Sequence, residues 1–268
     1  MQDKLVSLDE AAALVQPGHT LALGGNMLYR RPVAFVRALL ARSPRPTDLT
    51  LLAFTAGYAA DLLVGAGCVR QTRACYFGLE VFGFAPMFTQ AVHAGQLRVI
   101  EETELSLSLG IRAQLAGVGF MPSSAWLGTD LLALRPDVKT ITDPYNGEEL
   151  VAFPAISCDV AVIHALVADR HGNARLSRNV GVDPELAALA SQVIITAEEV
   201  VDHLETGAAD QEAAHIPAPL VTAVVHAPRG AEPTSCYPLY PIAGGAILRY
   251  IEACDNGEFE TFLQTDLA

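Results

Sequence analysis

"HTLALGGNMLYRRPVAFVRALLAR", residues 19–42, places a short apolar run and two glycines ahead of an apolar pattern of a different period. The run His19–Gly25 ends in Gly24 and Gly25. Behind Pro32, residues Val33, Val36, Ala38, Leu39 and Leu40 recur at helical spacing, and proline suits the first turn of a helix. The stretch reads as strand, glycine turn, helix. "DLTLLAF" (48–54), "ADLLVGAG" (60–67), "RACYFG" (73–78), "APMFTQAVHAG" (85–95) and "LRVIE" (97–101) continue the alternation. The second half repeats it with "DVAVIHA" (159–165), "PELAALAS" (184–191), "QVIITA" (192–197), "LVTAVVHAP" (220–228) and "AGGAILRYIEA" (243–253). Such a pattern predicts an α/β fold, an open, mostly parallel sheet with helices on both faces. With no long linker in sight, residues 1–268 are expected to form a single domain. Between the two halves, residues 135–157 carry turn signals at Asp143–Pro144 and Asn146–Gly147 flanked by short apolar runs, which predicts a small antiparallel flap.

Composition narrows the function classes. A chain of 268 residues that is 51% hydrophobic and 18% charged can bury a large core. A formal net charge of −13, with lysine only at Lys4 and Lys139, would repel a phosphate backbone, so nucleic acid is not an expected partner. A small anion is not excluded, because a few arginines and backbone amides can hold one within an acidic field. Cys68, Cys75, Cys158, Cys236 and Cys254 show neither CxxC nor zinc-ligand spacing, which suits free thiols in a reducing compartment. No stretch approaches the ~18 to 20 apolar residues of a membrane span, and the amino terminus is acidic and amphipathic. A cytoplasmic protein without membrane contact is expected.

Several catalytic signatures are missing: P-loop, G-x-S-x-G elbow and H-E-x-x-H are absent, and "GLEVFG" (78–83) lacks the middle glycine of a dinucleotide fingerprint. His164, Asp169 and His171 in "HALVADRHGNA" hint at a metal. A strand residue and two turn residues seldom converge on one ion, however, and Asp169 and Asn173 beside Gly172 read as turn formers, so no metal is assigned. Gly24 and Gly25 expose backbone N–H groups at the carboxyl end of a predicted strand, where open α/β sheets bind ligands, and Asn26 stands at the same edge. A tight structural turn is the competing reading. In "RVIEETELSLSLGIRAQ" (98–114), Glu101 or Glu102 ends a strand, Thr103 can cap the next helix, and Glu104 falls in its first turn. Capping alone would explain Glu104. Three carboxylates nevertheless exceed what capping needs, and their mutual repulsion suits one of them to act as a base.

"LGGNMLYRRPVAFVRALL", "ADLLVGAGCVRQ", "YFGLEVFGFAPMF", "GIRAQLAGVGFMPSSAWLGTDLL", "HALVADRHGNA", "VIITAEEVV" and "GAEPTSCYPLY" occur in this order and resemble the α subunit of class I coenzyme A transferases, of the glutaconate type. The resemblance covers roughly residues 5–255. It implies a homologous β subunit in an αβ or α2β2 assembly, a coenzyme A thioester as substrate rather than a permanently bound cofactor, and a glutamate of β as nucleophile. In such enzymes an acyl-glutamyl anhydride and then a glutamyl-CoA thioester form, and glycine-rich backbone of α lines the site. Gly24, Gly25, Asn26 and Glu80 are the substrate-binding candidates on this resemblance, with Glu104 as the catalytic one. The chain shows no S-E-N-G-type segment, so alone it is expected to be inactive. Where many relatives read E-x-x-P-Q-G, this chain reads "IEETELS", with Glu104 at the position of Gln. A carboxylate there resembles a branch that hydrolyses a carbon–carbon bond in a cyclic keto acyl-CoA, with the α-chain glutamate as base. Two alternatives therefore accompany the transferase reading: that ring-opening hydrolase, and a non-catalytic ligand-sensing domain, disfavoured by the lack of a basic helix-turn-helix segment before residue 19.

Overall fold

The computed structural model describes residues 2–205 and 214–267. Its spine is a nine-stranded sheet. Seven of those strands run parallel in the spatial order β4 (Arg98–Glu101), β3 (Val69–Phe77), β2 (Leu49–Ala56), β1 (Thr20–Leu23), β8 (Cys158–Asp169), β10 (Ala190–Val201) and β12 (Ala223–His226). β9 (Ala174–Arg175) and β11 (His215–Ile216) add a short antiparallel ribbon at the carboxyl end of β8. A separate antiparallel sheet orders β5 (Phe120–Ser123), β7 (Glu149–Pro154) and β6 (Lys139–Thr142). The parallel α/β sheet and the antiparallel flap expected from the sequence are both present. No helix among the described residues is long and apolar enough to cross a membrane.

Strand periodicity sorts the core into layers. Leu21 and Leu23 point to one face and pack with α1 (Leu8–Ala13), α2 (Val33–Ala41), α3 (Tyr58–Gly65), α8 (Gly244–Asp255) and α9 (Phe259–Leu267). Met87 and Phe88 of α4 (Pro86–His93) join that layer. Ala22, between the two leucines, faces Leu107 and Ile111 of α5 (Glu104–Leu115) and Leu186 and Leu189 of α7 (Asp183–Leu189). Both faces of the central strands are thus covered, which is why β1, β8 and β10 read as nearly continuous apolar runs.

The sequence reading has no counterpart for the short helix α6 (Leu131–Leu134), for α9 or for the β9–β11 ribbon, and two strands of the sheets also differ from it. β3 begins at Val69 rather than Arg73, because exposed Arg70 and half-buried Gln71 belong to the strand but break its apolar look. β5 has no counterpart in that reading, since Pro122 argues against a strand. It pairs only with β7, and an edge strand tolerates the missing N–H.

The path of the chain locates the crevice. From β1 it builds outward through β2 and β3 to β4, then returns to place β8 on the other flank of β1 and builds outward again. The strand order therefore reverses between β1 and β8, and the carboxyl ends there form the gap in which doubly wound sheets take ligands.

Candidate functional site

The turn after β1 occupies that gap, and its glycines are sterically required. Gly25 has φ +82, and a Cβ on it would lie 2.4 Å from the Tyr29 carbonyl oxygen and 2.7 Å from that of Arg30. A Cβ on Gly24 would lie 2.9 Å from both Asp183 Oδ1 and Ile163 Cγ1. Their N–H groups are not free, contrary to the expectation above. Gly24 N donates to Val162 O at 2.8 Å, Gly25 N to Asp183 Oδ1 at 2.8 Å, and Met27 N to Thr55 Oγ1 at 2.8 Å. A backbone donor already satisfied inside the protein cannot also serve a thioester oxygen without losing that bond. The side chain of Asn26 is half-buried: its Nδ2 donates to Asn179 Oδ1 at 2.9 Å, while its Oδ1 accepts from Thr55 Oγ1 at 3.2 Å.

Two arginines build the floor. Arg30 is fully buried and donates to Asp183 Oδ2 at 2.8 Å, His164 O at 2.8 Å, Asn179 O at 2.6 Å and Ser177 Oγ at 2.9 Å. Arg31, 2% exposed, wraps the turn itself, donating to the carbonyls of Gly24, Gly25, Met27 and Thr55. Burial pulls the Arg31 guanidinium down to about 10; Asp183 and Glu80 pull it back up, while Arg30 opposes them. Two adjacent buried cations survive because Asp183 is buried between Gly25 and Arg30.

Glu80 approaches the same turn from the end of β3. It opens a short 3-10 turn, Glu80–Phe82, with its backbone in the left-handed region at φ 58. Its N–H donates to Tyr76 Oη at 3.2 Å, and its Oε1 is buried without a hydrogen-bond partner among the described residues. Beside it Val81 is 92% and Phe84 84% exposed.

Glu101, Glu102 and Glu104 part company. β4 ends at Glu101, whose carbonyl accepts from Arg135 Nη1 at 2.7 Å. Glu102 turns inward between Arg73 Nε at 2.6 Å and Arg135 Nη1 at 2.9 Å, and Ser106 Oγ donates to its other oxygen. Two guanidinium groups thus replace the repulsion expected among three neighbouring carboxylates. Capping of α5 falls to Thr103, whose Oγ1 accepts from Ser106 N at 3.2 Å while Thr103 N donates back to Ser106 Oγ at 2.8 Å. Glu104 is left exposed, its carboxylate making no hydrogen bond with a described residue. Its position beside β3 is marked by the Cys75 thiol, pushed up to about 12 by burial and then by the charges of Glu102 and Glu104. The structure therefore gathers Gly24, Gly25, Asn26 and Glu80 around Arg31, with Glu104 on the same sheet edge but farther out, after β4.

Sequence reasoning missed a buried polar group beneath the crevice. His164 Nε2 lies 2.7 Å from Glu198 Oε1, its Nδ1 lies 2.9 Å from Thr196 Oγ1, and Tyr240 Oη donates to the same Glu198 oxygen. Arg229 N donates to Glu198 Oε2 at 2.6 Å. Burial holds the imidazole of His164 below its usual value despite the pull of Glu198. For Glu198, burial pushes upward, but the hydrogen bonds from His164 and Tyr240 help bring it below the usual carboxylate value. His164, Glu198 and Cys236 offer ligand-type atoms within 4.8 Å of one another. The carboxylate oxygens are already occupied by donors, so the arrangement works as a satisfied polar network. Asp169, by contrast, is the turn former expected, accepting from His171 N at 3.0 Å and Asn173 N at 2.9 Å.

Comparison with known proteins fits this architecture. The family model described as Coenzyme A transferase matches residues 5–227. The chain is 34% identical over 241 residues to the A-type subunit of 3-oxoadipate CoA-transferase from Pseudomonas knackmussii, covering 88% of this chain and 83% of that one. It is 35% identical over 212 residues to the IpdA subunit of the cholesterol ring-cleaving hydrolase from Rhodococcus jostii, covering 75% and 70%. Among solved structures, a cysteine-to-serine variant of the decarboxylase AibA/AibB superposes with TM-score 0.89 at 31% identity over 99% of both chains. Glutaconate coenzyme A-transferase from Acidaminococcus fermentans does so with TM-score 0.88 at 29% identity over 98% of this chain and 88% of that one. With a family match over most of its length, and an open sheet that superposes on these structures almost end to end, the chain belongs to the coenzyme A transferase family and falls with its A-type, or α, subunits.

Proposed function

We propose that the chain, as one α-subunit domain, works with a homologous β subunit to move coenzyme A between an acyl-CoA and a carboxylic acid. The observation that carries the reading is the family match over residues 5–227 together with relatives named as A-type subunits of transferases. In this scheme a β-subunit glutamate attacks the thioester carbonyl and coenzyme A leaves as thiolate; the thiolate then attacks the glutamyl carbonyl of the mixed anhydride, releasing the donor acid as carboxylate and leaving a glutamyl-CoA thioester. The acceptor carboxylate resolves that thioester by the reverse sequence. Gly24, Gly25 and Asn26 shape the α wall of the crevice, and Glu80 lines it. Since the N–H groups of Gly24 and Gly25 are occupied, the glycines supply space rather than oxyanion donors.

A second reading has its own support. Glu104 is exposed, unneeded as a cap and without a hydrogen-bond partner among the described residues, as a general base would be before substrate arrives. One relative is named a cholesterol ring-cleaving hydrolase. In this reading Glu104 takes a proton from water as the hydroxide adds to a ring ketone of a cyclic keto acyl-CoA; collapse of the adduct breaks the adjacent carbon–carbon bond to give a carboxylic acid, and the departing carbon takes up the proton from Glu104, leaving the thioester intact.

Co-production with the β subunit separates the two. Transfer predicts acyl exchange that depends on an added carboxylate, and a glutamyl-CoA thioester on β that borohydride or hydroxylamine traps. Ring opening predicts a product heavier by one water with its thioester retained and no trapped intermediate. Carbon dioxide release, or binding without turnover, would overturn both.

A further inference from the structure

We infer that Glu80 orients the acyl-CoA by accepting, on Oε1, a hydrogen bond from a neutral donor of the bound molecule, a hydroxyl or an amide N–H. The inference rests on the acyl-CoA reading above.

Three independent features of the fold meet at this residue. Oε1 is buried and receives no hydrogen bond from any described residue, although buried carboxylate oxygens are almost always partnered. Backbone strain is the second: φ 58 at a residue with a β-carbon is unfavourable, and the turn is held there by Leu79 N donating to Gly83 O at 2.8 Å and Gly83 N to Glu80 O at 3.0 Å. Glycine or asparagine would fit that backbone with less strain, so the glutamate side chain is what the position retains. Charge is the third. Arg31 lies close enough to feel Glu80, yet its guanidinium N–H groups are directed at the carbonyls of Gly24, Gly25, Met27 and Thr55 and at Thr55 Oγ1. Arg31 thus balances the negative charge without filling the hydrogen-bond site, which leaves Oε1 available to a molecule in the crevice.

The chemistry of the missing donor follows. A carboxylate of the substrate would be repelled at this point, and the compensating cation is already supplied by Arg31. Neutral donors remain, and an acyl-CoA offers them in two places. Its pantetheine arm carries a hydroxyl and amide N–H groups, and its acyl chain can carry a hydroxyl of its own.

The test uses the complex with β and two variants, Glu80→Met, which keeps length but removes the acceptor, and Glu80→Gln, which keeps a neutral acceptor. Acyl-CoA binding by calorimetry, KM and kcat are measured with thermal melting as control. Glu80→Met is expected to weaken binding and raise KM by ~10- to 100-fold, the loss that follows removal of one hydrogen bond to a charged group, with kcat changing far less. Glu80→Gln is expected to recover part of that loss. Because the oxygen has no partner among the described residues, Glu80→Met should melt no lower than the native complex, whereas a structural carboxylate would lower the melting point. Repeating the comparison with the N-acetylcysteamine thioester, which lacks the hydroxyl and part of the arm, assigns the donor. A penalty that vanishes places it on the pantetheine arm; one that persists places it on the acyl chain or on the amide that the short thioester retains. Unchanged acyl-CoA binding in Glu80→Met overturns the inference, as does weakened pairing of the two chains in its place, which would give the donor to β. A native complex that binds no acyl-CoA would remove the acyl-CoA reading itself.

Discussion

Glu104 and Gly25 should answer substitution in different ways. Glu104→Gln keeps the size of the side chain and leaves the Thr103–Ser106 capping box untouched. If the carboxylate is the base of a ring-opening reaction, turnover of the reconstituted complex should fall by ~10² to 10⁴-fold while the melting temperature barely moves. If the transferase reading holds, turnover should be retained, because the reacting carboxylate is then in β. Gly25→Val belongs to another category. Read from sequence alone, it should damage activity more than stability, by blocking N–H groups near the thioester. With Gly25 N bound to Asp183 and Tyr29 O only 2.4 Å from any Cβ, the outcome expected is the reverse: little folded protein, checked by melting and yield before any assay. A variant of normal stability with lost activity would contradict the packing described for that turn.

Among the helices, α3 and α4 are joined through a buried carboxylate. Asp61 of α3 accepts from Phe88 N at 2.6 Å, Met87 N at 3.2 Å and Tyr250 Oη at 2.7 Å, so a residue from one helix tethers the first turn of the next. Burial nevertheless outweighs those donors and raises the Asp61 carboxyl to about 6 from an ordinary 3.8. A raised carboxyl means that the folded state holds a proton the unfolded chain has released. The contribution of Asp61 to stability is therefore full below about 3.8 and declines as pH rises through about 6, by on the order of 3 kcal/mol in total. Urea unfolding of native protein and Asp61→Asn at several pH values between about 4 and 7.5 checks this, since the native protein should lose stability relative to the variant as pH rises across that linkage window. A constant difference would show that Asp61 does not titrate there. His164 has the opposite sign: with its imidazole held below 6.5 in the fold, its contribution is present above that value and lost as pH falls.

At the level of the molecule, large apolar side chains stand exposed, Val81 and Phe84 beside Glu80 among them. Phe82 Cζ lies 3.2 Å from where a Cβ on Gly244 would stand, which brings the 80–84 loop against the start of α8, and Tyr237 is 71% and Leu239 56% exposed. Exposed apolar side chains of this size suit a surface that another chain covers. Produced alone, the chain is expected to show no acyl transfer and to bind apolar dyes, and Phe84→Ser is expected to weaken co-purification with the β subunit while leaving the melting point of the isolated chain unchanged. Full turnover by the isolated chain would end the two-subunit reading.

How much of this is legible in the sequence depends on range. The strand–turn–helix of residues 19–42, the end of β4 at Glu101 and the cap at Thr103 are local, and hydrophobic period and capping chemistry reveal them. The roles of Arg30 and Glu102 are not legible, because each is defined by partners remote in the chain, and Arg31 wraps its own turn in a way that hydrophobic period and capping chemistry do not reveal. Two adjacent arginines beside paired glycines in a lysine-poor sequence are a visible signal, but nothing local says that Asp183 waits for one of them. The same holds for His164, whose neighbours Glu198 and Tyr240 arrive from other segments.

Those remote partners also order events in time. The turn after β1 emerges early from the ribosome, yet its bonds reach forward to Val162, Asp183, Asn179 and Ser235. An elongating chain ending at β7 holds the glycines, both arginines and Thr55, but not Val162, Asn179, Asp183 or Ser235. The crevice can close only when β8 docks on the free flank of β1, so its assembly coincides with completion of the sheet. In stopped-flow refolding, a fluorophore placed at Asn26 should therefore report the same slowest rate as backbone circular dichroism, with no earlier phase of its own.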